Sequence, residues 1–227
     1  MEHNRIALIA SLDTKLQETL YAKHEIESCG GQGLIIDIST KTLVDAGAAV
    51  GPADILARCG MTWEEFGPLD KAQSIETMSR ALTAAMPALY EEGLFDAVIS
   101  IGGGQNARMA AAAMKSLPFG VPKIVASSLA CGKRTMEQYV GDKDIMVVHT
   151  VADISGLNYT TKTVIHNVCH AALGMLHYQK QVVPDTRKKI AATMLGITSK
   201  GVEGALRLLP DDTYEKTCFH ANGVGGR

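Results

Sequence analysis

Aromatic side chains are scarce in this sequence, at 5% of 227 residues, so the stacking platforms that hold single-stranded nucleic acid have little to be built from. An excess of one charge is missing too. The 22 basic and 24 acidic side chains leave a formal net charge of −2, which offers no chain-wide basic surface to nucleic acid or an acidic membrane. Apolar runs stop at strand length, and the reading is that nothing spans a membrane. Five cysteines, at 29, 59, 131, 169 and 218, make no Cys-x-x-Cys pair and no regular spacing, and no signal peptide is visible. The expectation is a reduced, cytoplasmic protein whose partner is a small molecule or another protein.

What is present is a strand that runs into glycines. Phe95-Asp96-Ala97-Val98-Ile99-Ser100-Ile101 leads to Gly102-Gly103-Gly104-Gln105-Asn106, and the alanine-rich stretch from Ala107 to Met114 follows. A buried parallel strand brings the backbone to the carboxyl edge of a sheet, and glycines let it turn tightly. The next helix then aims unpaired N–H groups and a positive dipole at the turn, which makes an anion pocket. The letters Gly102-x-Gly104-x-x-Ala107 fit a dinucleotide fingerprint. That fingerprint wants an acid after the next strand, and Lys123–Ser127 is followed by none until Glu137. No Gly-Lys-Ser/Thr closes the loop, so it is not a phosphate loop of the P-loop type. The plain alternative is a glycine turn that serves only close helix packing.

The remaining pattern alternates strands with helices. Arg5 to Ser11, Gly33 to Ile38, the glycine-loop strand, Lys123 to Ser127 and Ile145 to His149 supply five strands. Helical spacing covers Thr14 to Ser28, Asp70 to Glu92 and Tyr159 to Lys180. This predicts an α/β, Rossmann-like, open and mostly parallel sheet with helices on both faces over 1–182. Residues at about 40–70, with the only tryptophan, Trp63, read as an insertion of the kind that forms a lid over the carboxyl edge. Pro184 to Lys189 breaks the periodicity, and over 188–227 the opening pattern restarts: Lys189 to Gly196 mirrors Arg5 to Ser11, a helix follows, then a strand at Glu215 to Phe219. That is an incomplete βαβ start of a second α/β domain. The expectation is a fragment or a shortened relative of a two-domain protein, and a homodimer.

Several motifs occur in order. They are Leu12-Asp13-Thr14-Lys15, Leu117-Pro118-x-Gly120-Val121-Pro122-Lys123, Tyr139 to Ile145, Val151 to Asn158, and Phe219 to Arg227. Together they resemble the ATP-binding domain family of the tomato mosaic virus resistance protein and its uncharacterised bacterial and fungal relatives, along the whole chain. The resemblance implies two facing Rossmann-like domains and ATP as ligand, with no assigned reaction. Where relatives tend to carry Gly-Gly-Ser-Gly-Gly, this chain has Gly102-Gly103-Gly104-Gln105-Asn106.

The candidate binding groups follow from these positions. Gly102, Gly103, Gly104, Gln105 and Asn106 offer the anion turn. Asp13, Thr14 and Lys15 leave the first strand, where Asp13 could hold Mg²⁺ or begin a helix and Lys15 could meet a phosphate. Ser127 and Ser128 could donate to phosphate or satisfy local backbone. Asp153 and Asn158 could bind ribose, metal or a polar substrate, while Asp144 reads as capping a turn. Gly223, Gly225, Gly226 and Arg227 repeat the glycine-turn logic in the second domain. His149 follows a strand and is the general-base candidate by position, without a visible partner, while Cys131, beside Lys133 and Arg134, reads as a nucleophile or as a small buried thiol. His166 and His170 share one helix face, but no third ligand stands near them in sequence, so the pair reads as structural.

The expected function is binding of a nucleotide (ATP) or another phosphorylated small molecule, with Mg²⁺. The alternatives are a small-molecule isomerase, hydrolase or phosphotransferase working between two domains, and a nucleotide-controlled interaction module.

Overall fold

The computed structural model describes residues 4–131, 139–178, 185–222 and 225. The chain divides into two compact units, Met1–Gln179 and Lys180–Arg227.

The first unit is built on five parallel strands: β1 (Arg5–Ala10), β2 (Gln32–Asp37), β3 (Ala97–Gly102), β4 (Lys123–Ser127) and β5 (Met146–His149). Their order across the sheet is β2-β1-β3-β4-β5. Every neighbouring pair is parallel, which gives a Rossmann-like open sheet. Side chains alternate between the faces because the strand period is two. In β1, Ala7 and Ile9 enter one apolar cluster while Ile6 and Leu8 enter the other, all at most 3% exposed. The cluster of Ile6 and Leu8 is completed by α1 (Leu12–Ser28) and α6 (Tyr159–His177), through Leu12, Ala22, Ile26, Ile165 and Val168. The opposite face is covered by α4 (Lys71–Glu91) and α5 (Gly104–Met114). Each fully buried isoleucine or leucine contributes about 1.5–3 kcal/mol, so the two clusters together drive the fold.

The insertion differs from the expected lid. Its helices α2 (Pro52–Ala57) and α3 (Trp63–Phe66) bury Ile55, Leu56 and Phe66 in the same cluster as α4. A bridge from Ile36 to Val50 also ties its start to β2. Apolar burial therefore makes it part of a face layer, and only its two ends reach the carboxyl edge. Among the described residues, no helix is long and apolar enough to cross a membrane.

Chain direction reverses its side of the sheet at β1. From β1 the chain moves to β2 through α1 on one face; from β2 it returns past β1 to β3 through α4 on the other. The loops leaving β1 and β3 thus part company above two adjacent strand ends, where a crevice opens.

The second unit holds β6 (Lys188–Met194), α7 (Ser199–Arg207) and β7 (Tyr214–His220), with β6 and β7 parallel from Lys188↔Tyr214 to Met194↔His220. Helix α7 buries none of its residues. In this unit Ile197 is 93% and Leu208 84% exposed.

Candidate functional site

The crevice between the β1 and β3 loops is a cleft of about 670 Å³. Asp13, Thr14 and Lys15 line it from one side, and Gly103, Gly104, Gln105 and Asn106 from the other. Thr40 and Lys41 from the start of the insertion and Gly67 and Leu69 from its end complete the rim. Two stretches predicted separately from sequence are thus brought together.

The helix starts at the two loops behave differently, and this selects the anion site. At α1 the backbone donors are consumed internally. Leu12 N–H donates to Asp37 Oδ1 at 3.0 Å, Asp13 N–H to Ser39 Oγ at 3.0 Å, and the N–H groups of Thr14 and Lys15 to Ser11 O. At α5 the N-cap is Gly103, which has no side chain to offer, and the first turn carries no acid. Among the described residues nothing accepts its leading N–H groups, which border the cleft and present the positive end of the dipole to it.

Packing explains the glycines one by one. A Cβ on Gly102 would stand 2.7 Å from Asn106 Nδ2, and one on Gly104 would stand 2.2 Å from Leu129 Cδ1. A Cβ on Gly103 meets nothing within 4 Å. Gly102 is therefore set by close approach to the buried Asn106, the exposed Leu129 side chain can turn away from a Cβ on Gly104, and Gly103 leaves room for a ligand against the backbone. Asn106 is 6% exposed and turns inward: its Nδ2 donates to Ser100 Oγ at 2.9 Å, and Ser11 Oγ donates to its Oδ1 at 3.4 Å. It holds the β1 and β3 exits together more than it addresses the cleft.

Electrostatics favour an anion. Among the described lining residues Lys15, Lys41, Lys71 and Arg108 face a single carboxylate, Asp13. Lys15 sits at a break in α1, with φ −132° and ψ 29°, and its ammonium has no partner among the described residues. Asp13 Oδ2 accepts the Lys41 backbone N–H at 3.2 Å, so it also pins the start of the insertion to the rim. Thr14 Oγ1 donates to Ser11 O at 3.3 Å, a local helix contact.

Asp37, at the end of β2, is a residue that sequence reasoning did not single out. It is 1% exposed, and its Oδ1 accepts from Leu12 N–H, Ser39 N–H and Ser39 Oγ–H. Its Oδ2 is buried without a hydrogen-bond partner among the described residues. Burial pushes its carboxyl up, against the lowering effect of those hydrogen bonds. An acid ending a strand at a helix N-terminus was the available signal.

The other candidates do not line the cleft. Gly102, Ser127 and His149 are register partners across β3, β4 and β5 at the carboxyl edge. Ser127 is fully buried, and its Oγ accepts Leu129 N–H at 3.2 Å; Ser128 O accepts the exposed Cys131 thiol at 3.7 Å. Asp153 is exposed. Asn158 is the N-cap of α6, with Oδ1 accepting Thr161 N–H at 3.1 Å and Thr161 Oγ1 accepting Asn158 N–H at 2.9 Å. Its carbonyl oxygen is engaged as a cap. His149 is exposed, and no acid or nucleophile is paired with it among the described residues. In the second unit, a Cβ on Gly225 would lie 2.4 Å from His220 O, so this glycine packs against the end of β7. Gly223, Gly226 and Arg227 lie outside the described residues, as do Lys133 and Arg134 beside Cys131. Asp144 is structural as expected: it accepts Gly120 N–H at 2.7 Å and the buried Lys123 ammonium at 2.8 Å.

Comparison with known proteins gives a consistent match. The N-terminal domain of an uncharacterised protein family, UPF0261, matches residues 4–181, and the C-terminal domain of that family matches residues 187–227. A UPF0261 protein of Clostridium tetani is 31% identical over 226 residues, covering 99% of this chain and 55% of that protein. A UPF0261 protein of Mesorhizobium japonicum is 31% identical over 231 residues, covering 98% of this chain and 54% of that protein. The ToMV resistance protein Tm-1(GCR237) of Solanum lycopersicum is 28% identical over 244 residues, covering 98% of this chain and 32% of that protein. The chain spans about half the length of these bacterial relatives and about a third of the tomato protein.

Proposed function

The chain belongs to the UPF0261 family of uncharacterised proteins, and within that family we propose that its first unit binds a phosphate-bearing small molecule, ATP or a close relative, in the cleft between the β1 and β3 loops. The observation that carries the proposal is the open start of α5, whose donors face a cleft lined by four cations and one acid. The phosphates are assigned to the N–H groups at Gly104 and Gln105, with Lys15 and Arg108 supplying point charge and a planar donor. A volume of about 670 Å³ is within the range of small-molecule sites and suits a nucleotide. One carboxylate, Asp13, is too few for a resident Mg²⁺ cage; it suits a Mg²⁺ that arrives with the phosphates and keeps most of its waters.

The proposal is one of binding. Neither His149 nor Cys131 has the partner that proton transfer or nucleophilic attack requires among the described residues, so no catalytic step is assigned.

Isothermal titration of the chain with ATP, with and without Mg²⁺, tests the reading against the Gly103→Val variant. The new side chain meets no protein atom at its Cβ, so the variant is expected to unfold as wild type does while losing at least about tenfold in affinity, roughly 1.4 kcal/mol. Saturable binding of equal strength in both proteins would move the ligand away from α5. Absence of binding to ATP, ADP and inorganic phosphate by the folded wild type would overturn the proposal.

A further inference from the structure

A second cluster of ligating groups lies at the other end of α1, outside the cleft. Glu25, near the end of α1, meets His166 and His170 of α6, and one ligating atom from each lies within 4.8 Å of the others. His166 Nδ1 is 2.8 Å from Glu25 Oε2, and His170 Nε2 is 3.8 Å from the same oxygen. Cys29, the residue that caps α1, places its Sγ 3.7 Å from His170 Nε2. We propose that Glu25, His166 and His170 form a Zn²⁺ site whose fourth ligand is Cys29, brought in by rotation of its exposed side chain.

Spacing carries the argument. A tetrahedral ion with bonds of about 2.0–2.3 Å holds its ligand atoms roughly 3.3–3.7 Å apart. The separations of 2.8 and 3.8 Å from Glu25 Oε2 to the two imidazoles lie within about half an ångström of that range, whereas Cys29 Sγ, 3.7 Å from His170 Nε2, stands outside the group of three whose ligating atoms are within 4.8 Å of one another and has to turn in to complete the tetrahedron. Both histidines project from one helix face because they are four residues apart, and their ring centroids are 3.9 Å apart.

Access and support also fit. The side chains of His166 and His170 are 50% and 39% exposed and Cys29 is exposed, which leaves an entry path, while Glu25 is 15% exposed. Tyr21, one turn before Glu25 on α1, stands near the Glu25 carboxylate, on the same helix. Cys169, between the two histidines in sequence, takes no part: it is fully buried and its thiol donates to Ala22 O at 3.6 Å. Imidazole, carboxylate and thiolate together favour zinc over calcium or magnesium, which take oxygen ligands alone.

The site would fasten the end of α1 to α6. It stands about 18 Å along α1 from Asp13, twelve residues at 1.5 Å each, so it is independent of the cleft and of what the cleft binds.

Titration of the whole chain with Co²⁺ as the zinc probe gives a direct reading. One equivalent is expected to bind with the visible bands of tetrahedral Co²⁺ and a near-ultraviolet thiolate band, and Zn²⁺ should displace it. His170→Ala and Glu25→Ala should each weaken binding by about a hundredfold or more, and Cys29→Ser should abolish the thiolate band. Circular dichroism of the metal-free variants checks that they fold, which is expected because all four side chains lie at the surface or its margin. Bands that persist in the His166→Ala/His170→Ala double variant, or an octahedral spectrum in the wild type, would overturn the site. A thiolate band that survives Cys29→Ser would remove the cysteine from it.

Discussion

Asp37 shows how one side chain can serve position at a cost in charge. Its Oδ1 gathers three donors from Leu12 and Ser39 and so fixes where α1 begins, while its Oδ2 is buried without a hydrogen-bond partner among the described residues. Because burial raises its native pKa, the folded state holds the Asp37 proton more tightly than the unfolded chain does. The sign follows: this residue's contribution to stability falls as pH rises from about 4, the unfolded value, through the raised native value, and is level above it. Asp37→Asn keeps an acceptor for Leu12 N–H and has no charge to bury. Its stability relative to wild type is therefore expected to increase with pH over that window, as read from urea unfolding at a series of pH values. A difference that shrinks with rising pH would sink this account. At the same scale Gly102 answers to the buried Asn106 whereas Gly103 answers to open space.

Between elements, the amino edge of the sheet is tied by charge. The Lys123 side chain is fully buried at the start of β4, where its ammonium donates to Pro118 O, Val121 O and Asp144 Oδ1 at 2.8–2.9 Å. Burial raises the Asp144 carboxyl, but the Lys123 and Gly120 hydrogen bonds outweigh it and hold the pKa below the usual carboxylate range. Asp144 thus adds stability above its unfolded pKa, which is lost as pH falls through the lowered native value. Asp144→Ala leaves a buried ammonium short of its counter-ion. The expected loss is roughly 2–4 kcal/mol, discounted from the fully buried case because Asp144 is 27% exposed, and denaturant unfolding at neutral pH measures it. A loss under about 0.5 kcal/mol would mean that the pair behaves as a surface contact. At the carboxyl edge the elements do the opposite: α1 and α6 have satisfied N-termini, and α5 has no such partners among the described residues. That contrast between helix starts is what supports the proposed site at this edge of the sheet.

For the whole molecule, both apolar clusters and every cleft-lining residue fall within Met1–Gln179. This unit has its own core and its own site, so a chain ending at residue 179 is expected to unfold cooperatively and to keep the affinity of the full chain within about threefold, near 0.7 kcal/mol. Calorimetry and the same ATP titration check it; failure to fold would show that the remaining 48 residues, 180–227, complete the core. The second unit differs in kind. Its β6 and β7 pair in parallel over seven register positions, yet α7 buries none of its residues.

The sequence by itself determined the strands and the helices, because a two-residue alternation and a 3.6-residue alternation leave different marks on a chain. Ala7 and Ile9 against Ile6 and Leu8 in β1 already declare two covered faces, and Gly102 to Asn106 already declares a tight turn into a helix. Family membership was legible too, in motifs kept in order from Leu12 to Arg227. Tertiary structure decided which loops share a cleft. Strand order, with β1 beside β3, brings Asp13 and Lys15 to Gly103 across about 90 residues of chain and leaves Ser127, Asp153 and Asn158 out. It decided that Asn158 caps α6 and that Asn106 turns inward, since an amide is read only by the donors it meets. It also carried Glu25 and Cys29 to His166 and His170, a meeting about 140 residues apart that no local pattern encodes and that helix packing on one face of the sheet creates.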